Sequence, residues 1–242
     1  MLATIPPTFA AAKKTYSGFS ASKKALEEGC DYVLLSNNDI LIKDKHLFDN
    51  ILNEAIHNKY KILIPKIHFY DSNEIWFISG YVQKFRAKCF HIHNYEIDNG
   101  QYDYLKSCEY APTCFMLFNK EVFNEVGLMD EKYFVYYDDT DFLWRCKLKN
   151  IPVNIFTKAV IEHKEGRSTG GQTSDFSFYY YTRNRFYFSS KINKQLLVKY
   201  ASYLYIFIVS LLRSFKHKKT KLYIRLVTEL LRGDEFKRIN KF

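Results

Sequence analysis

The chain has 242 residues, 47% of them hydrophobic, and a net charge of +10 at pH 7. That length and apolar content sustain a real core, exclude a disordered chain, and leave room for one substantial domain with an appendage. Five cysteines, Cys30, Cys89, Cys108, Cys114 and Cys146, are odd in number, widely spaced and form no Cys-x-x-Cys pair, which argues against a disulfide framework and a zinc finger and fits a reducing compartment.

Residues 1 to 12 place no basic residue ahead of an apolar run of signal-peptide length, which argues against secretion. The basic excess has two candidate partners, nucleic acid and an anionic membrane surface. From Lys191 onward the tail holds many of the basic residues, among them Arg213, Lys216, Lys218 and Lys219 directly after an apolar run. No zinc, RNA-recognition or helix-turn-helix signature accompanies them, so the expected partner is an anionic membrane surface and no nucleic acid.

In chain order, residues 20 to 29 predict a short helix capped by Ser20 and closed by Gly29. Residues 32 to 36, Tyr-Val-Leu-Leu-Ser, form a continuous apolar run suited to a strand buried on both faces. It ends in Asn37, Asn38 and Asp39, which taken alone read first as turn chemistry and otherwise as oxygen donors for a hard cation or a ribose at a sheet edge. From Asp44 a helix follows, with Leu47, Phe48, Ile51, Leu52, Ala55 and Ile56 at helical spacing. Strands are expected at 61–65 and 74–80, the second ending at Gly80. Residues 83 to 106 show no clear period, although His91 and His93 could share one strand face.

A strand at 114–118 leads into Asn119, an N-cap for a helix closed by Gly127. Next comes the aromatic run from Tyr133 to Tyr137, which breaks into Asp138, Asp139 and Asp141 at the start of a further helix. A helix N-terminus favours ionised carboxylates, and one aimed into a cleft can accept a proton from an attacking hydroxyl. Capping by one acid with two left in solvent explains the same residues, and the sequence leaves both open. Strands follow at 153–156 and 159–161, with His163 at the end of the second and Gly166, Gly170 and Gly171 in a loop beyond. Residues 200 to 212 are uncharged and largely apolar, and suit an in-plane interfacial helix, a span or a core helix.

Taken collinearly, these segments resemble the family 2 glycosyltransferases of GT-A fold, in particular the rhamnosyltransferase-like and galactofuranosyltransferase-like members that build surface polysaccharides. The matching pieces are Gly18 to Ala21, Asp31 to Asp39, Ile75 to Gly80, Cys114 to Phe123, Val126 to Glu131, Phe134 to Asp141, His163 and Tyr181 to Arg185. The resemblance implies an α/β, GT-A-like (Rossmann-like), mostly parallel sheet flanked by helices, with a C-terminal helical tail. It implies a transferase domain over residues 1–190, and the basic, apolar stretch read above adds a membrane-associating tail over 191–242. Asn37, Asn38 and Asp39 match the family's Asp-x-Asp-type motif, with Asp39 and His163 on Mn2+ or Mg2+. Asp139 matches the general base, supported by Asp138. Trp76, Gly80 and Asp141 match the acceptor region, and Arg183 a position near the donor phosphates.

The function so implied is an inverting, metal-dependent glycosyltransferase of hexosyltransferase type. It would move a sugar from a nucleotide-diphosphate donor to a glycan or lipid-linked acceptor, peripheral at the cytoplasmic face of the cell membrane. One departure stands out: residues 1 to 14 show neither the family's opening strand nor the acid that follows it, so the first βαβ unit is expected to be missing and the sheet to have an open edge. A non-catalytic or split remnant that needs a partner chain for the donor is therefore the alternative.

Overall fold

The computed structural model describes residues 9–13, 18–164 and 174–233. The loop expectation at Gly166, Gly170 and Gly171 lies outside them. The described residues form two compact units, one of residues 9–81, 90–131 and 138–164, the other of residues 82–89, 132–137 and 174–233. This partition groups the helix beginning at Asp175 with the tail.

The first unit has the expected α/β architecture. Its sheet contains β1 (Phe9–Lys13), β2 (Tyr32–Ser36), β3 (Ile40–Leu41), β4 (Ile62–Phe69), β5 (Ile75–Phe77), β8 (Ser107–Cys108), β9 (Phe115–Asn119) and β10 (Val153–His163). The order is β1-β2-β9-β4-β10-β3, with β5 on β4 and β8 on β10. β1, β2, β4 and β10 share one direction, and β9 runs against them between β2 and β4. A separate hairpin pairs β6 (Ser79–Gln83) with β7 (Lys88–Ile92).

Local chemistry explains most of these elements. Val33, Leu34 and Leu35 are fully buried, as an interior strand with two covered faces requires. Helix α1 (Gly18–Glu27) ends where Gly29, at φ +78°, donates its N–H to the Leu26 carbonyl. Helix α2 (Leu47–Asn58) buries Leu47, Ile51 and Ala55 and stops at Lys59 in a left-handed conformation. Helix α3 (Lys120–Val126) starts at Asn119, whose side chain accepts the Glu121 N–H at 2.9 Å, and Gly127 closes it. Helix α4 (Asp138–Leu148) sets Phe142 against Phe118 and Phe123, with ring centroids 5.6 Å from each.

Two expectations are corrected. Residues 9–13 form a strand that lies parallel to β2, from Phe9 beside Tyr32 to Lys13 beside Ser36, so β1, α1 and β2 make a βαβ unit and β2 has no open edge. The strands expected at 153–156 and 159–161 are one, β10, whose register against β4 shifts between Phe156 and Val160. A bulge absorbs the polar Thr157 and Lys158 without ending the pairing.

The unorganised stretch after β7 covers a buried ionic group. Lys66 Nζ lies 2.6 Å from Asp98 Oδ2 and 3.0 Å from Asp103 Oδ1, and His68 Nε2 is 2.9 Å from Asp98 Oδ2. Burial opposes the charge on Asp98, but the Lys66 ammonium, the Gly100 N–H and His68 outweigh it and hold the carboxyl below the usual carboxylate range. Burial likewise opposes Lys66, and its two aspartates more than offset that and raise it.

In the second unit, α5 (Asp175–Ile192) is capped by Ser174, which accepts the Ser177 N–H at 3.1 Å. It packs with α6 (Leu196–Lys216) and α7 (Thr220–Arg232). Tyr179 and Tyr180 of α5 and Leu226 of α7 form a small core that also takes in Val135 and Tyr136. α6 is, among the described residues, the one helix long and apolar enough by length and composition to cross a membrane.

Asp98→Ala removes one of the two carboxylates on buried Lys66 and the partner of His68, so it is expected to lower the urea midpoint at neutral pH. Because the Asp98 carboxyl is depressed in the folded state, its contribution is present above the unfolded value near ~4 and is lost as pH falls through the folded value. Asp98→Asn should therefore flatten the acid-side loss of stability, read as urea midpoints from neutral pH downward. An equally steep loss in the variant counts against this network as its source.

Candidate active site at the carboxyl edge of the sheet

At the end of β2, Asn37 N–H donates to the Cys114 carbonyl at 2.8 Å, and the chain crosses Asn38 and Asp39 to enter β3. β3 pairs antiparallel with the last residues of β10, Ile40 beside His163 and Leu41 beside Glu162. Lys164 N–H then donates to the Asp39 carbonyl at 2.8 Å. A short ladder thus joins residues distant along the chain, and it leaves Asp39 Oδ1 3.3 Å from His163 Nε2.

Among the described residues Asp39 Oδ1 is buried and accepts no hydrogen bond. Such an atom costs free energy that a protein donor or a bound cation would return. The donor set fits a divalent cation: a carboxylate oxygen suits Mg2+ or Mn2+, an imidazole nitrogen can join it, and adjacent ligands at ~2.1 Å from an octahedral ion stand ~3.0 Å apart. No group of three or more His, Cys, Asp and Glu is gathered for a metal among the described residues. The pair therefore offers two ligands, and substrate and water would supply the rest.

Trp76 stands against this pair. Its ring meets His163 edge-on at 4.3 Å between centroids and meets His91 at 5.4 Å. His91 Nδ1 lies 3.3 Å from the Trp76 carbonyl, and His93 contacts Glu96 at 3.0 Å, so each has a local partner of its own. Gly80 is where backbone runs close: an added Cβ would stand 2.8 Å from the Phe90 carbonyl oxygen and 3.0 Å from that of Tyr110.

The acids divide by role. Residues 149–152 join α4 to β10, the strand that ends at His163. Asp139 Oδ1 accepts the Thr140 N–H at 2.6 Å and lies 3.2 Å from its hydroxyl, and both Asp138 and Asp139 are half-buried. Asp141 is buried, and its Oδ2 accepts from Arg145 Nε at 3.0 Å. Arg145 also donates to the carbonyls of Val126 and Leu128, so Asp141 orients the guanidinium that clips the chain entering this segment.

In the second unit, the segment preceding Asp138 holds three aromatic residues in left-handed backbone, Phe134, Tyr136 and Tyr137, at φ of 63°, 59° and 66°. Side chains of this kind rarely adopt that region, and each instance costs of order 1–3 kcal/mol. Asn184 holds the segment: its buried amide donates to the carbonyls of Tyr133, Val135 and Tyr136 at 2.5 to 3.0 Å. Arg183 donates to the Lys132 and Tyr133 carbonyls and to Asn184 Oδ1. Sequence reasoning missed Asn184, whose only signal was its place beside Arg183 in the Tyr-Thr-Arg-Asn-Arg run.

No protein-family model matches the chain. Over 88 residues it is 27% identical to the low-salt glycan biosynthesis hexosyltransferase Agl10 of Haloferax volcanii, a stretch covering 36% of this chain and 29% of that protein. The match thus spans under a third of that relative's length. Among solved structures, GalNAc-T7, crystallised with UDP, GalNAc and Mn2+, superposes with a TM-score of 0.47 and 11% identity over 67% of this chain and 32% of that one. A197 from STIV superposes with a TM-score of 0.36 and 12% identity over 60% of this chain and 63% of the other. Superpositions this loose carry no argument about chemistry.

The geometry separates acids that build the protein from one that waits for a ligand. Asp141→Ala should cost about 1–3 kcal/mol, because Arg145 loses its carboxylate and keeps only carbonyl acceptors. Asp39→Ala should leave thermal stability within about 0.5 kcal/mol of the parent or raise it, because a buried acceptor without a donor disappears. A large loss with Asp39→Ala shows that the carboxylate is structural.

Proposed function

We propose that the chain transfers a sugar from a nucleotide-diphosphate donor to a glycan or lipid-linked acceptor, in glycan synthesis at the cytoplasmic face of a membrane. The observation that carries the reading is the Asp39 and His163 pair at the sheet edge, with Asp39 Oδ1 buried and accepting no hydrogen bond among the described residues. The collinear motifs of the family 2 glycosyltransferases and the partial likeness to a hexosyltransferase support it.

In this reading Asp39 and His163 hold Mn2+ or Mg2+. The bound ion supplies Lewis-acid neutralisation of the departing diphosphate. Asn37 and Asn38, half-buried and exposed at the same turn, offer amides to ribose and phosphate. Asp139, at the α4 N-terminus, is the general base, with Asp138 beside it. It takes the acceptor hydroxyl's proton as that oxygen bonds to the anomeric carbon, the bond from that carbon to the diphosphate oxygen breaks, and the configuration inverts. Trp76 presents an aromatic wall for a sugar ring, and Gly80 lets the Phe90 and Tyr110 carbonyls approach. Asp141 and Arg183, engaged by Arg145 and by backbone carbonyls, serve as positioning residues.

The two-residue ligand set also favours a second reading, a remnant that binds its donor only with a partner chain. Titration calorimetry of the full chain with nucleoside diphosphates and Mn2+ separates them, since the remnant shows no binding alone. Transfer or donor hydrolysis by the purified chain should fall by roughly 10²- to 10⁴-fold in kcat with Asp139→Asn while nucleotide affinity holds. Asp39→Ala should abolish the metal-dependent part of nucleotide binding. An unchanged rate in Asp139→Asn removes that residue as the base.

A further inference from the structure

On α6 the usual distribution of side chains is reversed. Its buried residues are Ser202, Ile206, Ser210 and Ser214, four apart along one stripe. The Ser202 hydroxyl lies 2.7 Å from that of Ser189 on α5 and donates to the Phe85 carbonyl at 2.7 Å. The exposed residues include Leu197, Leu204, Ile208, Leu212 and Phe215, with Leu197 87% and Leu212 63% accessible. At ~3.6 residues per turn these five cluster on the side opposite the serine stripe. Water drives the contrary arrangement, apolar inward and hydroxyl outward. Serine within and leucine without suits a helix whose surroundings are hydrocarbon.

Charge names the kind of hydrocarbon surface. Residues 191–242 contain thirteen Lys and Arg against three Asp and Glu, which accounts for the whole +10 and leaves residues 1–190 neutral. Lys194, Lys216, Lys218 and Lys221 are exposed at the two ends of the apolar face. A second copy of the chain would bring the same positive charge against this face, whereas an anionic bilayer complements it.

The packing fixes the orientation. α6 is ~31 Å long at ~1.5 Å per residue, enough to cross a hydrocarbon layer of ~30 Å. Yet it is tied along its length to its neighbours, through Ser202 to Ser189 and through the Tyr223 hydroxyl of α7, which donates to the Phe207 carbonyl at 2.8 Å. A crossing would draw α7 into hydrocarbon with Lys221, Arg225, Glu229 and Arg232.

We propose that the outer face of α6 lies flat in the boundary between headgroups and acyl chains of an anionic bilayer. Leu197, Leu204, Ile208, Leu212 and Phe215 enter the acyl region, and the lysines of residues 216–221 meet the lipid phosphates. The inference rests on the reading of the tail as a membrane element and deepens it by naming the face and its depth. It is independent of sugar transfer.

Flotation of the full chain with vesicles of equal parts phosphatidylcholine and phosphatidylglycerol should carry the parent protein upward. Leu204→Glu with Ile208→Glu should weaken binding by at least about tenfold, with an unchanged far-ultraviolet dichroism spectrum and urea midpoint. Lys216→Glu with Lys218→Glu should remove the preference over vesicles of phosphatidylcholine alone. Tryptophan placed at 197, 204 or 212 should be quenched equally by shallow brominated lipids after subtraction of Trp76 and Trp144. A parent chain that stays with the pellet, or a Leu204→Glu, Ile208→Glu chain that floats like the parent, overturns the proposal. So does a parent dimer that these substitutions dissolve without vesicle binding, which assigns the face to a second copy. Deep quenching at 204 with shallow quenching at 197 and 212 overturns the flat placement. Sugar transfer to a water-soluble acceptor, assayed separately, keeps the fate of the catalytic reading distinct.

Discussion

The candidate site depends on two residue pairs of antiparallel backbone, Ile40 with His163 and Leu41 with Glu162. Without them the turn after β2 is an ordinary polar loop, and Asp39 has no reason to stand beside a histidine at the far end of β10. Backbone pairing is well suited to this task because it fixes position without using the side chains that do the chemistry. Glu162, next to His163, shows the division: its carboxylate faces the other way, to Lys43 and to the Asp71 N–H. Alternation along one strand sends one side chain to the sheet's ionic network and the next to the site.

Much of the first unit was legible because local and global preferences agree there. The run Tyr32 to Ser36 could only be a covered strand, and Asn119 and Gly127 bracket a helix whose ends satisfy their own backbone groups. β1 was not legible, since Phe9, three alanines and Lys13 carry little strand signal and the pairing comes from β2. β10 was read as two strands because Thr157 and Lys158 mimic a turn, whereas the flanking pairs with β4 hold it together. The residues after β7 have no period because their order comes from Asp98 and Asp103 reaching charged groups on β4.

Asp39 and His163 were paired on resemblance, and the sheet topology supplies the physical reason for their meeting. The three left-handed aromatic residues before the acids had no sequence signature at all, since Phe134, Tyr136 and Tyr137 are poor choices for that backbone region. They persist because Asn184 and Arg183 supply donors to carbonyls that such a path leaves pointing inward. Arg183 matches a phosphate-binding position by motif, and in the fold its guanidinium donates to the Lys132 and Tyr133 carbonyls, as a group with several fixed donors allows.

The inverted helix bears on how the protein behaves before it meets lipid. A leucine face of that length, left in water, invites chains to adhere to one another before any bilayer is reached. The same face that suits hydrocarbon is thus a liability in water, and self-association would compete with lipid for it. On the proposed placement, the bilayer would cover apolar side chains that the fold itself leaves bare.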